Sequence, residues 1–190
     1  MPISSLTAAR IVCERSDWEI SNLKLHKILY LAQMAYMGDH NGQPLIDGCF
    51  QAWDYGPVLP DVYEIVARFG RNPIKDVFGP VGELDEKEKK ALEFFSDTLL
   101  QLSAAELVGI THWEGGAWAK NYAPSKKNVV MSLEDIFDEY QDRKKYIKKK
   151  ESAVIRKRII KYSCKTTILV LAVTIFLFLL NKILAFKKPS

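Results

Sequence analysis

The sequence is poor in the residue types that most metal and redox sites use. Its 190 residues include three cysteines and three histidines. No two of the cysteines stand at the spacing of a zinc or redox motif, and no HExxH occurs. An odd number of cysteines favours free thiols, as in cytoplasmic proteins. We therefore expect no metal, no cofactor and no disulfide.

Familiar catalytic signatures are also missing. There is no glycine-rich phosphate loop after a strand and no GxSxG nucleophile elbow. His112-Trp113-Glu114 matches only the first part of the zinc deaminase signature, because the chain has no Pro-Cys-x-x-Cys partner for it. The sequence thus predicts that the protein is not an enzyme. The alternative is an uncharacterised enzyme whose site uses His112 and Glu114.

A long apolar run lies near the C-terminus, at residues 166–186. It contains one charged residue, Lys182, and 14 of its 21 residues are Leu, Ile, Phe or Val. As a helix it would span about 31 Å, the hydrocarbon thickness of a bilayer. Insertion of these 14 residues is favourable by about 4–8 kcal/mol, more than one Lys near a helix end costs. We therefore predict a single transmembrane helix.

Charge is divided unequally along the chain. Residues 1–140 carry a net charge of −8 and residues 141–190 a net charge of +12. The positive-inside rule places the N-terminal head in the cytoplasm, at the inner membrane, with a short tail at 187–190 on the far side. An acidic head does not favour nucleic acid as a partner. The basic segment predicts contact with anionic lipid, or else a solvated connector, and its candidate lipid-binding residues are Lys148, Lys149, Lys150, Arg156, Lys157, Arg158, Lys161 and Lys165.

Hydrophobic periodicity predicts a mainly α-helical head with a small β element. Short strands are expected at 49–55 and 73–78, which could pair, and a linker follows Pro124. Helices are expected at 4–15, 21–37, 60–69, 85–102, 103–110, around Trp118, and from 132 into the apolar run.

Two expectations concern individual side chains. In the second helix, Lys24, Lys27 and Gln33 fall off the apolar face, and we expect His26 to be solvated or to cap the helix. A group of aromatic residues lies beside turns that contain Gly and Pro. We expect these to pack in the core, with an interaction surface as the alternative: Trp53, Tyr55, Trp113 and Trp118.

Three segments occur together in a recognisable order. They are LKLHKILYLAQ at 23–33, QAWDYGPVLPDVY at 51–63, and 102–118, which contains THWEGGAW. Together they resemble the Panacea domain, the family that includes SocA-like antitoxins and phage-associated proteins. His26 replaces the usual Gln, and Ala117 the usual Pro. The resemblance covers these motif positions, as structural or interaction residues: Lys24, Leu25, Lys27, Tyr30, Trp53, Tyr55, Gly56, Pro57, Tyr63, His112, Glu114 and Trp118.

The resemblance implies a compact helical domain without enzymatic activity. We expect a Panacea-like head at 1–131, a basic amphipathic helix at 132–165, a transmembrane helix at 166–186 and a tail at 187–190. The implied function is that of a membrane-anchored antitoxin that binds and neutralises a cognate protein toxin, with phage defence as one setting. The alternative is a membrane-tethered adaptor that delivers the toxin to a cytosolic protease.

Overall fold

The computed structural model describes residues 1–80, 84–124, 126 and 128–160, and gives the side chains of these residues up to Glu151. It divides into two compact units, Met1–Gln141 and a second that begins at Asp142. The predicted transmembrane helix at 166–186 and the lipid candidates Lys161 and Lys165 lie outside the described residues. Among the helices that are described, none is both long enough and apolar enough to cross a membrane.

The described chain is mainly helical with a small β element, which confirms this part of the predicted fold class. Serine or aspartate begins most of the helices, because a side-chain oxygen accepts a hydrogen bond from a backbone N–H of the first turn. Ser103 and Glu106 form a reciprocal capping box. The helices are α1 (Ser5–Arg15), α2 (Asn22–Asp39), α3 (Pro60–Val66, extended by a 3-10 turn over Ala67–Phe69), α4 (Glu86–Leu100), α5 (Ala104–Thr111), α6 (Ala117–Asn121) and α7 (Leu133–Ile160).

The β structure is small and differs from the prediction. Two short strands, β1 (Ile3–Ser4) and β2 (Ile46–Asp47), pair in parallel. A second sheet has the order β4-β3-β5, in which β3 forms an antiparallel hairpin with β4. Its strands are β3 (Gln51–Trp53), β4 (Gly56–Val58) and β5 (Val129–Val130). The predicted strand at 49–55 is therefore the first arm of a hairpin, and β5 lies in the stretch that we expected to be a linker.

The second predicted strand, 73–78, is wrong. Pro73 makes one isolated bridge with Ser21, and the residues after it form irregular structure. Proline has no N–H to donate to a ladder, so it does not support a strand here. The segment is apolar because Ile74 and Phe78 are buried in the core from a loop.

Helix α2 is the centre of the head. It contacts α1, α4, α5 and β4, so it has neighbours on several sides and no wide solvent face. The expectation that its polar residues would lie at the surface is wrong: His26 is 1% exposed, and Lys27 and Gln33 are 0% exposed. Gln33 is satisfied there, since its Oε1 accepts hydrogen bonds from Leu45 N at 2.9 Å and Ile46 N at 2.8 Å.

The last helix begins inside the first unit and carries the first of the lipid candidates. Ser132 Oγ accepts a hydrogen bond from Asp135 N at 3.0 Å, as expected for an N-cap. Further along, Lys148 and Lys149 are exposed, and Lys150 places its Nζ 4.6 Å from the ring centroid of Tyr146. The backbone is helical at Arg156, Lys157 and Arg158. Contact with lipid stays a prediction.

Candidate functional site: a groove beside the β-hairpin

A groove of about 620 Å³ opens between the start of α2, the β3–β4 hairpin and α3. Its walls combine aromatic rings with cationic side chains, and three polar residues of α2 contribute to it. The residues that line it are Asn22, Leu23, His26, Lys27, Ala52, Trp53, Asp54, Tyr55, Val58, Tyr63, Gly70, Arg71, Pro124, Lys126 and Asn128. Pockets that bind ligands commonly have this size and this mixture of apolar walls with a few polar groups.

Lys27 is a buried cation at this groove. Its Nζ donates a hydrogen bond to Pro57 O at 3.0 Å, and among the described residues no carboxylate forms an ion pair with it. Burial disfavours the charged form and lowers the pKa of Lys27 to about 7. An ammonium has three donors. The hairpin carbonyl therefore uses only one third of the hydrogen-bonding capacity of this group.

His26, the preceding residue, is held as a neutral ring. Its Nδ1 accepts a hydrogen bond from Leu59 N at 3.3 Å, which assigns the ring proton to Nε2. Burial, with a smaller contribution from the charge of Lys27, lowers the pKa of His26 to about 3. The buried Nε2 has no hydrogen-bond partner in the described structure, and neither has Oδ1 of Asn22. Such groups are rare in folded proteins and call for an explanation.

Gly56 allows the hairpin to approach these groups closely. Its φ of 99° is rarely adopted by other residues. A Cβ here would lie 3.0 Å from Lys27 Nζ and 3.1 Å from His112 Nε2. The turn thus brings the buried lysine of α2 and the histidine at the end of α5 to the same point. Burial, followed by the charge of Lys27, lowers the pKa of His112.

Stacked aromatic rings connect the hairpin to α6. The rings of His112 and Trp118 are parallel, with centroids 3.8 Å apart. Trp118 Nε1 donates to Trp53 O at 2.8 Å, and Trp53 packs edge-on against Tyr63 at 4.7 Å. Core packing was expected for these aromatics. Trp118 packs against the core although it is half-buried, whereas Trp53 is half-buried and Tyr55 is 73% exposed. Trp113 is half-buried as well.

A buried carboxylate on α7 positions α6. Glu139 Oε2 accepts hydrogen bonds from Tyr30 OH at 2.5 Å and from Ala117 N at 2.8 Å, and Glu139 is 0% exposed. Because α6 carries Trp118, this contact fixes one wall of the aromatic cluster. Sequence analysis missed Glu139. The sequence contained a signal for its burial, since Glu139 lies three residues after Ile136 and next to Tyr140, and both of these residues are buried.

The structure brings most of the motif positions together and leaves others apart. Outside the groove, Lys24 Nζ donates to Leu100 O at 2.8 Å, Leu25 is buried in the core, and Glu114 is exposed. No cluster of three His, Cys, Asp or Glu side chains that could hold a metal exists within the described ranges. The motif residues that meet at or beside the groove are Lys27, Trp53, Tyr55, Gly56, Pro57, Tyr63, His112 and Trp118.

Comparison with known families agrees with this grouping. The family "Antitoxin SocA-like, Panacea domain" matches residues 25–119, half of the chain. The chain belongs to this family. The match contains Lys27, the whole hairpin, His112 and Trp118. The Panacea domain therefore includes the buried lysine, the turn and the aromatic cluster.

One curated relative is Antitoxin SocA of Caulobacter vibrioides. It is 34% identical over 113 aligned positions, and the alignment covers 54% of this chain and 60% of the relative. This chain therefore spans less than two thirds of the relative's length. No solved structure matches the chain.

Proposed function

We propose that this Panacea-domain protein is an antitoxin that neutralises a cognate protein toxin by binding it directly through the head. The observation that carries the proposal is the groove, which motif residues of two separate segments line and beside which His112 and Trp118 of the third segment pack against the hairpin. The name of the Caulobacter relative and the family description support the antitoxin role.

The chemistry of the groove favours binding over catalysis. His26 is neutral, and its Nδ1 already accepts a backbone hydrogen bond. Asp54, a carboxylate in the lining, accepts a hydrogen bond from Tyr122 OH at 3.1 Å. Large aromatic side chains such as Trp53 and Tyr63 are the residue types that provide much of the affinity at protein interfaces. Such walls suit recognition of another protein.

The test of this function is co-expression of the full chain with the product of the neighbouring gene. We expect the neighbour to arrest growth when expressed alone, and growth to recover when a stable complex of the two proteins co-purifies. A neighbour that is harmless and does not co-purify would contradict direct neutralisation. Recovery with loss of the neighbour, reversed in a protease-deficient host, would instead support the protease-adaptor alternative.

We further propose that residues 166–186 anchor this antitoxin in the inner membrane, with the head in the cytoplasm. The support is the apolar composition of this run and the basic segment before it. The full chain should sediment with membranes and resist carbonate extraction. Arginines at Leu177 and Phe178 should release it, because each costs about 2.5–3.5 kcal/mol at a helix centre. Release of the parent chain by carbonate would refute the anchor.

A further inference from the structure

We propose that the groove recognises an acidic side chain next to an apolar one, on an extended segment of the partner protein. That the partner is the toxin rests on the function proposed above. The preference of the groove for such a segment belongs to the head itself, so it can be measured without the toxin.

The charge of the groove is opposite to that of the head. Residues 1–140 carry a net charge of −8. The groove, however, is lined by the cations Lys27, Arg71 and Lys126 and by one carboxylate, Asp54. Asp54 accepts a hydrogen bond from Tyr122, which lies outside the lining. An anionic group would therefore be attracted to this part of an otherwise acidic surface.

The buried polar groups specify the ligand more narrowly. Lys27 has donors left after its bond to Pro57 O, and His26 has an Nε2–H without an acceptor. Both residues line the groove, so a carboxylate bound there has two kinds of donor in its lining from which to accept. Oδ1 of Asn22, also without a partner, can accept from a backbone N–H of the segment. A bound carboxylate would satisfy donors that are costly to leave unpaired.

The apolar walls provide room for a neighbouring side chain. Trp53 and Tyr63 form an edge-to-face pair, and Leu23 is 36% exposed beside them. A single buried ammonium matches the single charge of a carboxylate. A nucleotide carries several charges, which the cations at Arg71 and Lys126 would have to balance from the rim. A short peptide therefore fits these groups better than a nucleotide does.

The experiment is a selection of random peptides, displayed between two folded domains so that no free carboxyl terminus is presented. The bait is the full chain in detergent, as the parent protein, as Lys27→Met and as Lys90→Met. Lys90 lies on α4, where its Nζ is 3.8 Å from Glu86, and serves as the matched control. We expect the peptides selected by the parent and by Lys90→Met to contain Asp or Glu beside an aromatic or large aliphatic residue.

The selected peptide then tests the contact itself. Replacement of its acidic residue by the corresponding amide should weaken binding to the parent about ten- to hundredfold, as expected for a lost charged hydrogen bond. Lys27→Met should reduce this difference to a fewfold one, because Arg71 and Lys126 still attract the acidic side chain. Arg71 is exposed, and Arg71→Ala should weaken binding of the acidic peptide only. This variant keeps the test valid if Lys27→Met does not fold. Three outcomes would overturn the proposal. The selected peptides could lack acidic residues, the difference in affinity between the acidic peptide and its amide could be unchanged in both variants, or ATP could bind more tightly than any peptide.

The outcome for the antitoxin function is separable. If the full chain rescues growth but selects no acidic peptides, this inference fails and the proposed function stands. If it selects acidic peptides but rescues no toxin, the inference about the groove stands and the proposed function fails.

Discussion

Helices α2 and α4 show how differently two long helices of the same head use their polar residues. Helix α4 buries Leu92, Ser96 and Leu99 along one stripe, and most of its charged residues lie at the surface, although the Glu88 side chain is only 13% exposed and accepts a hydrogen bond from Tyr36 of α2. Helix α2 buries a lysine, a histidine and a glutamine among its apolar residues. The difference arises because α2 is packed on several sides. On α4 the charged residues make contacts such as the surface ion pair of Asp97 with Arg15, whereas on α2 the buried polar residues hold the loops and the hairpin that build the groove.

The largest effect on stability is expected when a glutamine of α2 is replaced by alanine, and a glutamine at the end of α4 provides the comparison. Gln33→Ala on α2 leaves the buried N–H groups of Leu45 and Ile46 without an acceptor. Each orphan donor costs about 1–3 kcal/mol, so the free energy of unfolding should fall by about 2–6 kcal/mol. Gln101→Ala, at the exposed end of α4, should change it by less than about 0.5 kcal/mol. Urea unfolding of the full chain measures both, and equal losses would contradict the central role of α2.

The next effect depends on pH and separates the lysines of the two helices. The pKa of Lys27 is about 7 in the folded protein, against 10.5 for an ordinary lysine. Between pH 7 and pH 10.5 the unfolded chain binds more protons than the folded chain does. The free energy of unfolding therefore rises with pH over this range, and it decreases as the pH falls toward 7. The change should be on the order of a few kcal/mol.

Two variants isolate this effect. Lys27→Met should gain stability relative to the parent as the pH falls from 10.5 to 7, because only the parent has to release a proton from a buried amine on folding. At pH 10.5 Lys27→Met should be the less stable of the two by about 1–3 kcal/mol, because methionine leaves Pro57 O without its donor. Lys90→Met on α4 should follow the parent at every pH. Urea midpoints measured from pH 6 to pH 10.5 provide the comparison. A parent whose midpoint does not rise across this range would show that Lys27 is charged at its buried position.

A smaller effect is expected at the tyrosine that joins α2 to α7. Tyr30→Phe removes the hydrogen bond to Glu139 and should lower the free energy of unfolding by about 1.5–3 kcal/mol. Tyr36→Phe also removes a hydroxyl from α2. This hydroxyl donates to Glu88 Oε1 on α4 at 3.3 Å, a longer hydrogen bond, so its loss should cost less. Urea unfolding of both variants measures the two losses. A loss for Tyr36→Phe as large as that for Tyr30→Phe would contradict the greater importance of the contact with Glu139.

The sequence predicted helices better than it predicted the polar interior. Ser4, Ser21 and Ser103 determine helix starts through contacts within three residues, so the starts could be found from the chain alone. Burial of Lys27 and His26 depends on the hairpin, about 30 residues further along. β5 depends on pairing with β3 from nearly 80 residues away. The Panacea motifs indicated which residues to consider, but not that two of the segments line a groove while the third packs against its hairpin, because that requires the positions of three segments at once.

The smallest effect on stability should accompany a large effect on binding. Tyr55 lines the groove and is 73% exposed, whereas Phe94 projects from α4 and is 39% exposed. Truncation of either to alanine removes few buried contacts and should change the free energy of unfolding by less than about 0.5 kcal/mol for Tyr55 and only slightly more for Phe94. Exposed aromatics at the centre of an interface, in contrast, commonly contribute more than about 2 kcal/mol to binding.

Tyr55→Ala should therefore weaken toxin binding by more than about tenfold while the chain stays fully folded, and Phe94→Ala should leave the affinity unchanged. Titration of each variant with the purified toxin measures the affinity, and urea unfolding of the same samples measures stability. If Phe94→Ala weakens binding and Tyr55→Ala does not, the toxin binds the face of α4. The buried lysine and histidine of α2 would then need an explanation other than recognition of this partner.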